Sequence, residues 1–212
     1  MHFSLTDLAA DITQNGAESG ASLVELEIRE TAAAALPAEF RFVIKDNGKG
    51  MSGDVLDRAM DPFVTDGVKH PGRKVGLGIP FLIQTALGSG GGWRISSARP
   101  GSETSVRSGG NANSFGAQGA SAPGTTVEAW FDPGNVDTPP VGDIPGLFRT
   151  VLLFTGPEEI ILRRSRRAEG KADLDYEVKK TELAEALGDL EDVSSLVLLG
   201  KYLRSLEGDD EE

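Results

Sequence analysis

Apolar positions in this chain repeat with two different periods. At the N-terminus they fall at Leu5, Leu8, Ala9 and Ile12, the i, i+3, i+4, i+7 spacing of a buried helical stripe. Ser4 or Thr6 is placed to cap that helix, and Asp7 and Asp11 lie toward the positive end of its dipole. From Val24 to Arg29 the period drops to two, so Val24, Leu26 and Ile28 share one face of a half-buried strand. Phe40, Phe42 and Ile44 repeat the alternation, and the alanine run Ala32 to Ala35 with Pro37 reads as a connection between two antiparallel neighbours. Ser52 is placed to cap a short helix through Val55, Leu56, Ala59 and Met60. Pro80 suits the first turn of a helix whose apolar face is Phe81, Leu82, Ile83, Ala86 and Leu87. Trp93 to Ser96 and Gly124 to Phe131 read as strands.

Between those two strands, residues 99–123 are rich in Gly, Ser, Ala and Asn, which predicts a flexible insertion. The proline-rich stretch from Asp132 to Pro145 reads as a linker. Beyond it the pattern predicts a helix from Leu147 to Phe154, a strand at Ile160 to Leu162, and a turn at Ala168 to Lys171. A strand carrying Leu174, Tyr176 and Val178 follows, then helices around Leu183–Leu187 and Val193–Leu206 and an acidic tail. The basic cluster Arg163, Arg164, Arg166 and Arg167 reads as the solvated face of that hairpin.

Composition narrows what such a chain can do. The 212 residues suffice for one large domain, or for one domain with a smaller one. A formal net charge of −12 argues against nucleic-acid or anionic-membrane partners, because phosphate contacts need a basic surface. Cysteine is absent and there are two histidines, which removes thiolate chemistry and disfavours a histidine metal cluster. No apolar run approaches the ~20 residues that span a bilayer, and the N-terminus lacks the basic start and apolar core of a signal peptide. The expected compartment is cytoplasmic.

Candidate chemistry concentrates at Asp46-Asn47-Gly48-Lys49-Gly50-Met51, where the second strand ends. Asp46 shares a face with Phe40, Phe42 and Ile44, which puts its carboxylate at the rim of a buried surface. Burial is costly unless something hydrogen-bonds to it. Gly48 and Gly50 let the backbone turn and approach a ligand closely. Two readings remain open at that point, a binding loop and an ordinary Asp-Asn-Gly turn. On the first helix, Asp11 and Asn15 stack on one face beside the apolar stripe. A polar, basic stretch with Lys69, His70, Arg73 and Lys74 ends in Gly76-Leu77-Gly78 before a helix, a natural phosphate site.

Four segments therefore stand in order: Asp11-x-x-x-Asn15, Asp46-x-Gly48-x-Gly50-Met51, Gly76-Leu77-Gly78 and Gly124-Thr125. Over roughly residues 3–132 this resembles the GHKL superfamily, whose ATP-binding Bergerat domain is shared by gyrase, the heat-shock chaperone, histidine kinases and the mismatch-repair ATPase. Asn15 to Ala21 is similar to the first nucleotide box of the mismatch-repair branch. Asp61-Pro62-Phe63-Val64-Thr65 is similar to the F-box that precedes the lid of histidine kinases. More narrowly, the chain resembles short histidine-kinase-like proteins encoded near iron-only hydrogenase genes.

The resemblance implies an α+β fold: a two-layer α/β sandwich with a mixed, mostly antiparallel sheet and helices on one face. It places an ATP-binding domain at residues 1–135 and a small α/β extension at 136–212. It also implies roles. Asn15 would ligate Mg²⁺, and Asp46 would accept a hydrogen bond from the adenine amino group. Gly48 and Gly50 would give the base room, with Met51 against it, and Thr125 would reach it through its hydroxyl. Thr65, Lys74, Gly76, Leu77 and Gly78 would form the lid and phosphate side. Asp11 occupies the general-base position, where the ATPase branches carry Glu; being one methylene shorter, it bears on hydrolysis and not on binding.

The function implied is an ATP/Mg²⁺-binding regulator acting as a kinase-like modifier of a partner protein. The alternatives are an ATPase conformational switch and a non-hydrolysing nucleotide sensor. A conventional histidine kinase is disfavoured because neither histidine sits in a dimerisation helix. Topoisomerase and mismatch-repair activities are disfavoured because residues 136–212 are too few for the transducer domain that follows the nucleotide domain in those enzymes.

Overall fold

In the computed structural model, which describes residues 4–32, 38–63, 77–111, 123–170 and 173–208, β1 (Leu23–Ala32) is the strand that both halves of the chain share. On one side it pairs antiparallel with β2 (Glu39–Asp46), from Val24 opposite Asp46 to Thr31 opposite Glu39. On the other it pairs parallel with β6 (Glu159–Ala168), from Leu23 opposite Glu159 to Ala32 opposite Ala168. Adding β3 (Gly92–Ala98), β4 (Ser105–Gly110), β5 (Gly124–Phe131) and β7 (Leu174–Lys179) gives the order β4-β3-β5-β2-β1-β6-β7. The β1–β6 pair is parallel and the other five pairings are antiparallel, the mixed, mostly antiparallel sheet that was expected. Strands from both sides of residue 135 thus lie in one sheet.

The period-2 runs explain the layering. Leu26 and Ile28, with Phe40, Phe42 and Ile44, point from one face into a single apolar core, and Val24 is buried on the same face. The other face carries Glu25, Glu27 and Arg29. Helix α1 (Leu5–Ala17) lays Leu5, Leu8, Ala9 and Ile12 onto the core face, capped by Ser4 in a box with Asp7. Its start is held further by backbone N–H groups of Leu5 and Thr6, which donate to the carbonyls of Pro140 and Val141 at 2.9 Å each. The proline-rich stretch read as a linker is therefore fixed in place, because proline keeps its acceptor while losing its donor and α1 has orphan donors to satisfy.

Helices α2 (Gly53–Met60), α3 (Gly78–Gly88), α4 (Ile144–Leu152), α5 (Lys180–Leu187) and α6 (Val193–Glu207) complete the helical layer. Helix α3 packs on β3 and β5, α4 on α1 and β6, and α6 on α4.

Two expectations are corrected. Within the stretch read as a flexible insertion, Ser105–Gly110 forms an edge strand on β3, with Ser97 opposite Ser105 and Gly92 opposite Gly110. An edge strand draws on main-chain bonds and needs little apolar alternation, so Ser-Val-Arg-Ser-Gly-Gly hides it. Arg107 also anchors it to α2 through Asp57 at 2.7 and 2.9 Å. The arginine cluster is a solvated face on one side only, that of Arg163 and Arg167. Arg164 is 2% exposed and donates to Glu207 at 3.1 Å and Glu30 at 2.7 Å, while Arg163 bridges Glu25 and Glu177 at 2.7 Å each. Alternation sends Arg164 inward with Ile160 and Leu162, and its acidic partners come from β1 and α6, which a local reading does not connect.

Candidate functional site

Strand register aligns one polar row at the rim of the core face. Ser97 of β3 lies opposite Thr125 of β5, Thr125 opposite Asp46 of β2, and Asp46 opposite Val24 of β1. One pleat further in, the same strands place Ile95, Val127, Ile44 and Leu26. All four are buried. The row is thus hydrogen-bonding chemistry standing on an apolar floor.

Asp46 is only partly accessible, and its Oδ1 accepts the Gly48 backbone N–H at 2.9 Å and the Ser19 hydroxyl at 3.1 Å. Burial pushes the Asp46 carboxyl above the ordinary aspartate range. The bonds from Gly48, Ser19 and the Thr125 backbone offset part of that rise by favouring the ion. The Ser97 hydroxyl is 2.9 Å from that of Thr125 and accepts the Met51 N–H at 2.8 Å. Ser97 thereby ties the loop after β2 to the row.

The loop is shaped by close approach. A Cβ at Gly48 would lie 1.8 Å from Ser19 Oγ, and one at Gly50, whose φ is +59°, would lie 1.9 Å from the Ala98 carbonyl oxygen. Neither position has room for a side chain. Asn47 pins the loop to the start of β1: its Oδ1 accepts the N–H groups of Ser22 and Leu23 at 2.9 and 3.0 Å, and its Nδ2 donates to Ser22 Oγ.

Helix α1 passes directly over the row, since a Cβ at Gly16 would sit 3.4 Å from Asp46 Cβ. Asn15 and, one turn earlier, Asp11 are exposed on the same helix. Helix α3 starts at Gly78 beside them; a Cβ there would be 3.5 Å from Asn15 Nδ2. Leu77 precedes it as N-cap with no side-chain bond to the first turn. Asn15, Asp46, Gly48, Gly50, Met51, Gly78 and Thr125 are therefore brought around one region, with Asp11 and Leu77 at its border. Thr65, Lys74 and Gly76 lie outside the described residues, as does His70.

Ser19 and Ser97 were not read from the sequence. Ser19 falls inside the Asn15–Ala21 segment, and its bond to Asp46 spans 27 residues. Ser97 follows the Trp93–Ser96 run by one position, and only strand register brings it to Thr125.

The residues present fit an adenine nucleotide. A partly buried acceptor, a hydroxyl beside it and a loop stripped of Cβ atoms suit a flat base carrying an amino group. An exposed amide side chain at Asn15 beside the start of α3 suits a phosphate-bound hard cation. Among the described residues no cluster of three or more His, Cys, Asp or Glu could hold a metal by itself. None of their helices is long and apolar enough to cross a membrane.

Residues 3–135 match the family model described as histidine kinase-, DNA gyrase B-, and HSP90-like ATPase, well over half of the chain. Among solved structures, the N-terminal domain of a DNA repair protein is similar over 82% of this chain and 52% of that one, at 9% identity and a TM-score of 0.46. The ATPase domain of Aquifex aeolicus MutL, complexed with ADP, is similar over 82% of this chain and 64% of that one, at 15% identity and a TM-score of 0.38. The chain thus spans less than two thirds of the length of either.

Proposed function

Because this chain belongs to the histidine kinase-, DNA gyrase B-, and HSP90-like ATPase family, we propose that it binds ATP with Mg²⁺ at the polar row and acts as a kinase-like regulator of a partner protein. The observation that carries the binding part is the Asp46 carboxylate: fixed by Gly48 and Ser19 on one oxygen, walled by two glycines and only partly buried, it is a charged acceptor set at the rim of the core. In this reading Asp46 and Thr125 take the adenine, Gly48 and Gly50 admit it, and Met51 packs on it. Asn15 would hold Mg²⁺, which offsets phosphate charge in a strongly acidic protein. Lys74, Gly76, Leu77 and Gly78, with Thr65, belong to the phosphate side, where backbone N–H groups and one ammonium meet the oxygens.

Asp11 is the candidate for taking the proton from an attacking water or hydroxyl. It stands one turn before Asn15 on the same helix, so it faces the phosphate side of the site. It is exposed and shorter than the Glu of the ATPase branches. This favours, as a second reading, a sensor that binds ATP and a partner without turnover. The partner is a protein, the surface being too acidic for nucleic acid, and the compartment is the cytoplasm. The resemblance to short members encoded near iron-only hydrogenase genes supplies the first candidates.

Incubation with radiolabelled ATP and those candidates tests the reading. Label on a partner supports the kinase, free phosphate alone supports an ATPase switch, and neither, with ATP still bound, supports the sensor.

A further inference from the structure

Four of the ten exposed large hydrophobic residues among the described ones lie on a single helix, α6: Val193 at 75% exposure, Val197 at 54%, Leu198 at 53% and Tyr202 at 43%. The opposite side of that helix is occupied, with Ser195, Leu199 and Leu203 buried against the body of the protein. At 100° per residue the exposed residues form two short ridges, Val193–Val197 and Leu198–Tyr202, with Ser194, Lys201 and Ser205 between them. Scattered apolar residues on a surface need no explanation, but a stripe of this kind does.

We propose that this stripe is a self-association surface, on which a second copy of the chain docks its own α6 antiparallel about a two-fold axis passing between Val197 and Leu198. In that register each exposed apolar position of the helix lies level with an apolar position of the other copy. Val197 and Leu198 of the two copies meet at the axis, and Val193 of each lies level with Tyr202 of the other. Ser194 of one copy lies level with Lys201 of the other, a small residue over which the lysine stem can run. Charge sets the direction. Asp189, Glu191 and Asp192 stand at the start of α6, whereas Lys201 lies in its second half. Antiparallel docking brings Lys201 within a turn of the other copy's Glu191, while parallel docking stacks acid on acid. Neither Lys201 nor Glu191 takes part in an ion pair among the described residues of its own chain, so both charges are available. Two-fold contacts of this kind use the same patch twice and close on themselves. One pair of short helices is a small interface, so a reversible dimer is expected.

The net charge of −12 repels copies at long range. Association is therefore measured by sedimentation at ~0.15 M salt, where the Debye length is about 8 Å, from micromolar to hundreds of micromolar protein. A concentration-dependent monomer–dimer equilibrium is expected. Lys201→Glu and Glu191→Lys should each weaken it about tenfold, and the two together should restore it. Because the chain has no cysteine, Leu198→Cys gives a single thiol that a short bis-maleimide should join to its own copy. Val193→Cys should join to Tyr202→Cys when the two variants are mixed, and to itself far less. Thermal unfolding of each variant checks that the monomer is intact. A protein that stays monomeric throughout, a dimer indifferent to both charge reversals, or a stripe that only a different protein covers would each overturn the proposal.

Discussion

Replacing Asp46 by Asn tests the adenine side of the site with the smallest possible change in shape. One carboxylate oxygen must become an NH₂ group, and the structure makes either choice costly in a different place. If the amide nitrogen takes the Oδ1 position, it faces two donors, the Gly48 N–H at 2.9 Å and the Ser19 hydroxyl at 3.1 Å. If it takes the other position, those bonds survive and the nitrogen faces the ligand. The second choice keeps the fold and is the one expected. A donor then meets the adenine amino group where a charged acceptor stood, a loss of ~1.5–3 kcal/mol, or a rise of roughly 10- to 150-fold in Kd. The midpoint of thermal unfolding should scarcely move, since removing a carboxylate that burial already disfavours costs little. Titration calorimetry with ATP, paired with a melting curve, reads both quantities. A Kd within threefold of the parent on an intact fold would remove Asp46 from the site and with it the orientation of the base.

The same carboxyl gives a pH dependence. Its pKa in the folded chain lies above the ordinary value, so the ion's burial penalty applies above that pKa and is relieved as pH falls through it. ATP affinity should therefore fall on acidification through that range, and an affinity equally flat in the parent and in Asp46→Asn would contradict this. Gly50→Ala should destabilise by at least ~2 kcal/mol, because φ is +59° and the new Cβ would strike the Ala98 carbonyl at 1.9 Å; an unchanged urea midpoint would refute it. Asp11→Asn should spare ATP binding and abolish turnover, and label or phosphate released at the parent rate would take Asp11 out of the mechanism. Glu207→Ala should cost ~3–5 kcal/mol of unfolding free energy. It strips Arg164, Arg166 and Tyr176 of bonds at 3.1, 3.3 and 2.8 Å, and a loss under ~1 kcal/mol would show the cluster to be incidental.

The elements of the N-terminal half were legible because each carries its period locally. Leu5, Leu8, Ala9 and Ile12 announce α1, and Val24 to Ile28 and Phe40 to Ile44 announce β1 and β2. The hexapeptide was visible as a loop, but its surroundings were not. Ser19 and Ser97 reach Asp46 and Thr125 through register between strands distant in sequence, and no spacing rule connects a serine after a helix to an aspartate 27 positions on. Strand β4 was missed because an edge strand needs so little apolar content. Arg164 and Arg166 were misread for a related reason. A run of four charges looks solvated until β1 and α6 supply Glu30 and Glu207, and both are long-range neighbours.

The C-terminal segment raises the last question, whether the part of the chain that matches the family stands alone. The match ends at residue 135, but the sheet and the core do not. Truncation there would expose the whole β1 edge that now pairs with β6 over ten residues, an unprotected hydrogen-bonding rim that invites aggregation. It would also remove Leu147, Phe148, Val151, Leu152, Ile160, Leu162, Val178, Leu199 and Leu203 from the core they share with α1 and β1. At about 1.5–3 kcal/mol for each buried side chain, that loss amounts to the entire ~5–15 kcal/mol by which a domain is stable. Residues 1–135 alone should therefore give no cooperative melt and no nucleotide binding, although they contain all the candidate ligand contacts. Circular dichroism and calorimetry on the truncated chain decide it: a sharp transition near the parent's, with ATP still bound, would mean that β6 and α4 merely decorate a site that holds itself together.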